Sequence, residues 1–145
     1  MLIREARTCD AATVNDLLHQ LGYPQEGTEE TAARIRSWAD DPASAAYVAE
    51  DDGEVAGLIA VHVCPFFERT GSWARIVALV VSERVRGCGV GGELVGAAEA
   101  FAVGHGCVRV EVTSSDRRED AHVFYRSRGY VDQAGRSSRF LRGLE

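Results

Sequence analysis

Ile76-Val77-Ala78-Leu79-Val80-Val81-Ser82-Glu83-Arg84-Val85-Arg86-Gly87-Cys88-Gly89-Val90-Gly91-Gly92-Glu93-Leu94 decides the reading of this chain. A β-branched apolar run passes into a short polar turn with two arginines, then a glycine cluster, then a helical pattern. That order reads as strand, loop and helix start. Glycine permits positive φ and close approach of backbone, so successive N–H groups can converge on one point. The first amides of the following helix lack intrahelical partners and lie at the positive end of its dipole. The stretch is suited to hold a phosphate or pyrophosphate.

Gly87-Cys88-Gly89-Val90-Gly91-Gly92 also satisfies G-x-G-x-x-G, and Glu111 lies near the offset of a ribose-binding acid in a dinucleotide fold. Position argues against that fold. The loop begins at Gly87 of a 145-residue chain, too late for the further βα units such a domain needs. The upstream segment reads as antiparallel hairpins. No lysine followed by Ser or Thr is present in the loop, as a triphosphate-binding turn requires.

Upstream, Met1 to Arg7 reads as a strand. Thr8 or Asp10 caps a helix carrying Val14, Leu17, Leu18 and Leu21, which Gly22 and Pro24 end. A second helix starts at Thr28-Glu29-Glu30-Thr31, sets Ala32, Ile35, Trp38 and Ala39 on one face, and closes at Pro42. Ala45 to Glu50 and Glu54 to Cys64 form a hairpin about Asp52-Gly53, and Ser72 to Ser82 is the third strand of the meander.

Downstream, Val90 to Val103 places Leu94, Val95, Ala98, Phe101 and Ala102 on an apolar stripe, with Gly104 and Gly106 as its stop. Cys107 to Ser114 alternates Val108, Val110 and Val112 with Arg109, Glu111 and Thr113, which predicts a strand with one buried face. Ser115-Asp116 turns the chain into a last helix through Arg128, capped by Gly129. Tyr130 to Leu141 reads as a final hairpin about Ala134-Gly135.

The length fits one domain over residues 1–145, burying roughly 68–70% of its unfolded surface without metal or disulfides. Charged residues at 26% and hydrophobic residues at 46% are ordinary for a globular chain, and a net charge of −6 argues against nucleic acid as a partner. Cys9, Cys64, Cys88 and Cys107 form no C-x-x-C pair, so neither structural zinc nor a disulfide framework is expected. With Arg4, Glu5 and Arg7 near the N-terminus no signal peptide is expected, and the run Gly57 to Val63 is too short to span a membrane. These features predict a cytoplasmic protein.

Arg86, Gly89 and Gly91 match the signature Gln or Arg, two residues, Gly, one residue, Gly or Ala. Ala121-His122-Val123-Phe124-Tyr125-Arg126-Ser127-Arg128-Gly129-Tyr130 matches a second signature, a small residue three positions before an aromatic pair and then Gly-aromatic. With these two motifs in this order, the chain resembles the GNAT family of N-acetyltransferases. The resemblance implies an α/β (α+β) GNAT fold, with a mixed central sheet of about six to seven mostly antiparallel strands and about four helices.

It also implies acetyl-CoA as co-substrate and a primary amine of a small molecule or protein as acceptor. Arg86, Gly87, Cys88, Gly89, Val90, Gly91 and Gly92 would then bind the pyrophosphate, and Leu79, Val80 and Val81 the pantetheine arm as an added strand. A backbone N–H of Leu79 or Val80 would meet the acyl oxyanion. Tyr125 matches the family's proton donor to the CoA thiolate, beside Phe124. Many members carry a glutamate base on the strand before the loop, but Arg75 to Val81 holds no acid. Glu111, Glu83 and His122 are the candidates instead. Arg118 stands where the family frequently has asparagine and could meet a phosphate. Tyr23 and Trp38 would face the acceptor, no metal takes part, and dimerisation through the last strands is common among relatives. A regulatory domain that binds acyl-CoA without catalysis is the alternative, and a dinucleotide-binding domain the remote one.

Overall fold

The computed structural model describes every residue except 115–117, so the expected turn at Ser115-Asp116 lies outside the described residues. The strands are β1 (Leu2–Glu5), β2 (Ser44–Asp51), β3 (Glu54–Pro65), β4 (Ser72–Val81) and β5 (Cys107–Val112). The helices are α1 (Ala11–Leu21), α2 (Glu29–Asp40), α3 (Val90–Gly104) and α4 (Glu119–Ser127), with 3-10 turns at Thr8–Asp10 and Glu83–Val85. The chain forms two compact units, Met1–Thr113 and Ser114–Glu145.

The first unit is a five-stranded sheet in sequence order. β1 to β4 pair antiparallel, β2 to β4 through short connections and β1 with β2 across the α1–α2 segment, and β5 joins β4 in parallel after the α3 crossover. The hairpin at Asp52-Gly53 forms as read from sequence, with both residues at positive φ (50° and 77°).

Helices cover both faces of the sheet. On one face, Val14 and Leu17 of α1 and Ile35 of α2 pack with Val48, Leu58 and Val80 in a buried cluster. On the other, Gly57 lies under α3, where an added Cβ would come within 2.9 Å of Leu94 Cδ1 and 3.1 Å of Val90 Cγ1. Leu94, Val95 and Ala98 of α3 are fully buried there. Burying three such aliphatic chains on this side contributes roughly 1.5–3 kcal/mol for each large one. Gly57 therefore sets how close α3 lies to the sheet, and with it the position of the loop that feeds the helix.

Four expectations are corrected. The sheet has five strands among the described residues, fewer than six to seven. The difference lies in the second unit. A turn does form at Ala134–Arg136, closed by Arg136 N–H to Gln133 C=O at 2.9 Å, but no strand flanks it. Its arms are Val131-Asp132-Gln133 and Ser137-Ser138-Arg139, which lack the alternating apolar residues that would give a strand a face to bury. Asp132 Oδ1 instead accepts the Ala134 N–H at 2.9 Å, a local turn bond that competes with ladder pairing. On α2, Ala39 is exposed and Thr31 is the buried residue with Ile35. On β5, the valine face is only partly covered, with Val108 54% exposed.

Candidate functional site

The pairing of β4 with β5 runs from Ser72↔Cys107 and ends at Ile76↔Val112. Beyond that point β4 continues from Val77 to Val81, bonded to β3 on one side and, among the described residues, to no strand on the other. Val77 is an extra residue between Ala60↔Ala78 and Val61↔Ile76, so a bulge lies where the two strands part. A bulge kinks its strand and increases local twist, which opens a gap beside a parallel neighbour. The free edge presents unpaired backbone groups in the pattern an amide-bearing arm can match.

The edge runs directly into the glycine turn. Ser82 is buried and donates its N–H to Ala56 C=O at 2.8 Å, fixing the strand's end. Glu83–Val85 makes one 3-10 turn, and Gly87 and Gly89 then take φ of 84° and 82°. No neighbour lies within 4 Å of where either Cβ would stand, so glycine is required by conformation and the space in front is open. Gly89 is the N-cap of α3, and Glu93 N–H to Gly89 C=O opens the helical ladder. The amides from Gly89 to Gly92 thus precede the ladder at the positive end of a 15-residue helix. Arg86, Gly87, Cys88 and Gly89 are exposed, and Arg84 makes a surface ion pair with Glu54 at 3.2 Å.

One cross-strand row decorates the sheet face that carries α1 and α2. Ser44 pairs with His62, His62 with Arg75, and Arg75 with Glu111, so these four side chains share that face. Glu111 is ion-paired to Arg109 at 2.9 Å, and Arg75 Nη2 donates to Thr113 Oγ1 at 2.6 Å. Arg109 also stacks over Phe66 (5.1 Å) and Trp73 (5.8 Å). Trp38, near the end of α2, stands edge-on to the His62 ring with centroids 6.4 Å apart. Tyr23, in the connection after α1, is 64% exposed.

Sequence reading missed the row's centre. His62 lies inside the apolar run Gly57 to Val63, and Asp41 and Ser44 flank the second helix's stop at Pro42, so none of the three stands out in sequence. A lone polar side chain in a strand, on the face next to a helix end, was the available signal.

In the second unit, Tyr125 on α4 packs against Phe124 (5.3 Å) and Tyr130 (5.8 Å). Burial pushes the phenol above its usual pKa, with the Arg118 charge pulling the other way. Arg118 is exposed at the start of α4, and His122 and Phe124 are half-buried on it. Among the described residues, no group of three His, Cys, Asp or Glu side chains is arranged to hold a metal ion, and no helix is long and apolar enough to cross a membrane.

Sheet, bulge and glycine turn define an α/β protein with an open strand edge leading to the N-terminus of α3. The family model described as Acetyltransferase (GNAT) family matches residues 12–130. Aminoalkylphosphonate N-acetyltransferase of Salmonella typhimurium is 34% identical over 91 residues, which is 62% of this chain and 58% of that protein's length. An uncharacterized N-acetyltransferase of Bacillus subtilis is 29% identical over 93% of each chain. A solved structure from Agrobacterium tumefaciens, a presumed acetyltransferase, superposes with a TM-score of 0.87 at 25% identity over 99% of this chain and 100% of its own. The chain belongs to the GNAT acetyltransferase family, whose members are acyltransferases.

Proposed function

We propose that this chain is an acetyl-CoA-dependent N-acetyltransferase that acylates a primary amine by direct attack, with both units serving one domain over residues 1–145. The observation that carries the reading is the continuity of the free edge Val77–Val81 with the glycine turn and the α3 N-terminus. An extended arm with amides and a diphosphate at one end is the ligand chemistry such a surface fits.

In this reading the backbone of Leu79, Val80 and Val81 pairs with the pantetheine arm, and an amide there stabilises the oxyanion. Amides from Gly87 to Gly92 bind the pyrophosphate, with Cys88 and Val90 serving as small spacers and Arg86 adding charge. Arg118 meets a phosphate, and Phe124 packs beside the acyl carrier. Tyr125 donates a proton to the departing thiolate. Its burial keeps the phenol protonated across the neutral range, as an acid must be.

The acceptor lies over the row of His62, Arg75 and Glu111, with Trp38 and Tyr23 at its margin. Arg75 and Arg109 suit an amine that also carries an anionic group. The name of the Salmonella relative makes an aminoalkylphosphonate the first acceptor to try. The test incubates the protein with acetyl-CoA and a panel of primary amines headed by aminomethylphosphonate, following thiol release and product mass. Acetylated amine formed only when both substrates are present supports the proposal. Neither thiol release nor acetylated product with any amine would overturn it.

A further inference from the structure

Deprotonating the acceptor is the step the site described so far leaves without a well-placed group. An alkyl amine arrives as R–NH3+ at neutral pH, and Glu111 already spends its carboxylate on Arg109 at 2.9 Å. The hydrogen bonds around His62 supply a different group, and they fix its protonation pattern by counting protons.

Asp41 follows α2. Its Oδ1 accepts the Ala43 N–H at 3.0 Å and its Oδ2 accepts the Ser44 hydroxyl at 2.8 Å. These two bonds hold the carboxyl below its usual range, so it is an acceptor only. Ser44 has one hydroxyl proton, and Asp41 takes it. The same Oγ lies 2.9 Å from His62 Nδ1, and with no second proton to give it must accept one. Nδ1 of His62 therefore carries the hydrogen, and the lone pair of the neutral ring is on Nε2. Among the described residues Nε2 has no hydrogen-bond partner, and it is not a buried orphan either, so it opens to solvent. Trp38 flanks the ring from α2, and Arg75 and then Glu111 are the charged groups beside it on β4 and β5.

We infer that His62, held by the Asp41–Ser44 relay with Nε2 free, is the general base that removes the acceptor's proton. His62 lies three residues along β3 from Ile59, the partner of Leu79, one of the backbone positions assigned above to the acyl arm. At about 3.3 Å per residue and 4.8 Å between strands, its Cα is roughly 11 Å from that of Leu79. The imidazole, one water and the attacking amine together span that distance.

R–NH3+ gives one proton to Nε2, and the freed lone pair attacks the thioester carbon. The C–N bond forms, the C–S bond breaks, and the thiolate takes a proton from Tyr125. The second proton on nitrogen leaves to solvent, which also restores Tyr125, and His62 returns its proton to bulk water. Ser44 and Asp41 are positioning residues.

This inference rests on the proposed acetyl transfer, and the test keeps the two separable. Long-range 1H–15N correlation on 15N-histidine protein, assigned with His62→Gln, reports the tautomer without any acceptor. An Nδ1–H ring that loses its preference in Ser44→Ala is expected, and an Nε2–H ring in the wild type overturns the assignment. In kinetics with an alkylamine that the wild type acetylates, H62Q should lose at least 100-fold in kcat with acetyl-CoA affinity unchanged. The loss should shrink below 10-fold for a weakly basic amine that arrives unprotonated. Equal losses for both amines, or no loss, would overturn the base role while leaving acetyl transfer standing. Failure of wild type and variant alike to bind acetyl-CoA would instead remove the proposed function, and the base role with it.

Discussion

Ile76 and Val112 are the last residues through which β4 and β5 pair, and the bulge at Val77 begins one residue later. The sheet thus opens at the point where β4 turns toward the glycine loop. If an acyl-CoA arm fills that opening as an added strand, amides facing it must gain partners. Hydrogen exchange in segment 77–81 should slow on adding acetyl-CoA, while exchange in 72–76, already paired on both sides, stays the same. Unchanged exchange in 77–81 at saturating ligand would rule out edge pairing.

Gly89→Ala tests the turn. At φ 82° an alanine pays about 1–2 kcal/mol of left-handed strain, with no neighbouring atom to clash. That should lower Tm by several degrees, at about 2–4 °C per kcal/mol for a chain near this size. Acetyl-CoA affinity should fall by more than the strain alone explains, because the new methyl stands in the open space before the helix amides. Calorimetric titration of the folded variant checks this.

Gly57→Ala tests the seating of α3. The added methyl would meet Leu94 at 2.9 Å and the Val80 carbonyl oxygen at 3.3 Å, and the second is backbone that cannot swing away. A loss of about 1–3 kcal/mol is expected from overpacking, read as a lower urea midpoint at constant slope. A neutral result would mean that α3 shifts freely over the sheet.

Asp10 gives a pH test of stability. Arg4 grips its carboxylate with two hydrogen bonds, at 2.8 and 2.9 Å, and the Arg7 N–H adds a third at 2.7 Å. The Arg4 bonds first, and the Arg7 amide after burial's opposing effect, hold the Asp10 pKa below its ordinary value. The unfolded state therefore takes up the proton first as pH falls. The contribution is fully present above the unfolded pKa of about 3.9 and is lost as pH drops through the lower folded value. Asp10→Ala should cost about 1.5–3 kcal/mol at pH 7, since it leaves the largely buried Arg4 guanidinium with only Glu50, at 3.4 Å, as its charged partner, and the cost should shrink in acid. Denaturant titrations at pH 7 and pH 3 check both.

Tyr125→Phe separates chemistry from binding. Turnover should fall at least tenfold with acetyl-CoA binding retained. Because burial raises the phenol's pKa, the wild-type rate should hold its protonated-acid form past pH 10, the usual value. Stability follows the same sign, present below about pH 10 and lost as pH rises toward the folded pKa. Equal turnover in the two forms would remove the acid role.

The glycine turn, the meander and the helix order were legible in sequence because each has a local cause: positive φ at Gly87, Gly89 and Gly53, helical spacing in α1 and α3, Pro42 after α2. What was not legible depends on pairing. Only register brings Ser44, His62, Arg75 and Glu111 into one row from four strands, and only the Ala60/Val61 shift reveals the bulge that opens the sheet. The final hairpin failed for the opposite reason. Gly135 does make its turn, but a turn residue does not supply the apolar alternation its flanking strands would need.

The most direct test of the central claim is thermal unfolding with acetyl-CoA, CoA or NAD. A ligand of the folded state at 100 times its Kd stabilises by about 2.7 kcal/mol, a shift of several degrees. Stabilisation by acetyl-CoA and CoA but not by NAD is the predicted result. No response to either CoA compound, or a response to NAD alone, would contradict it.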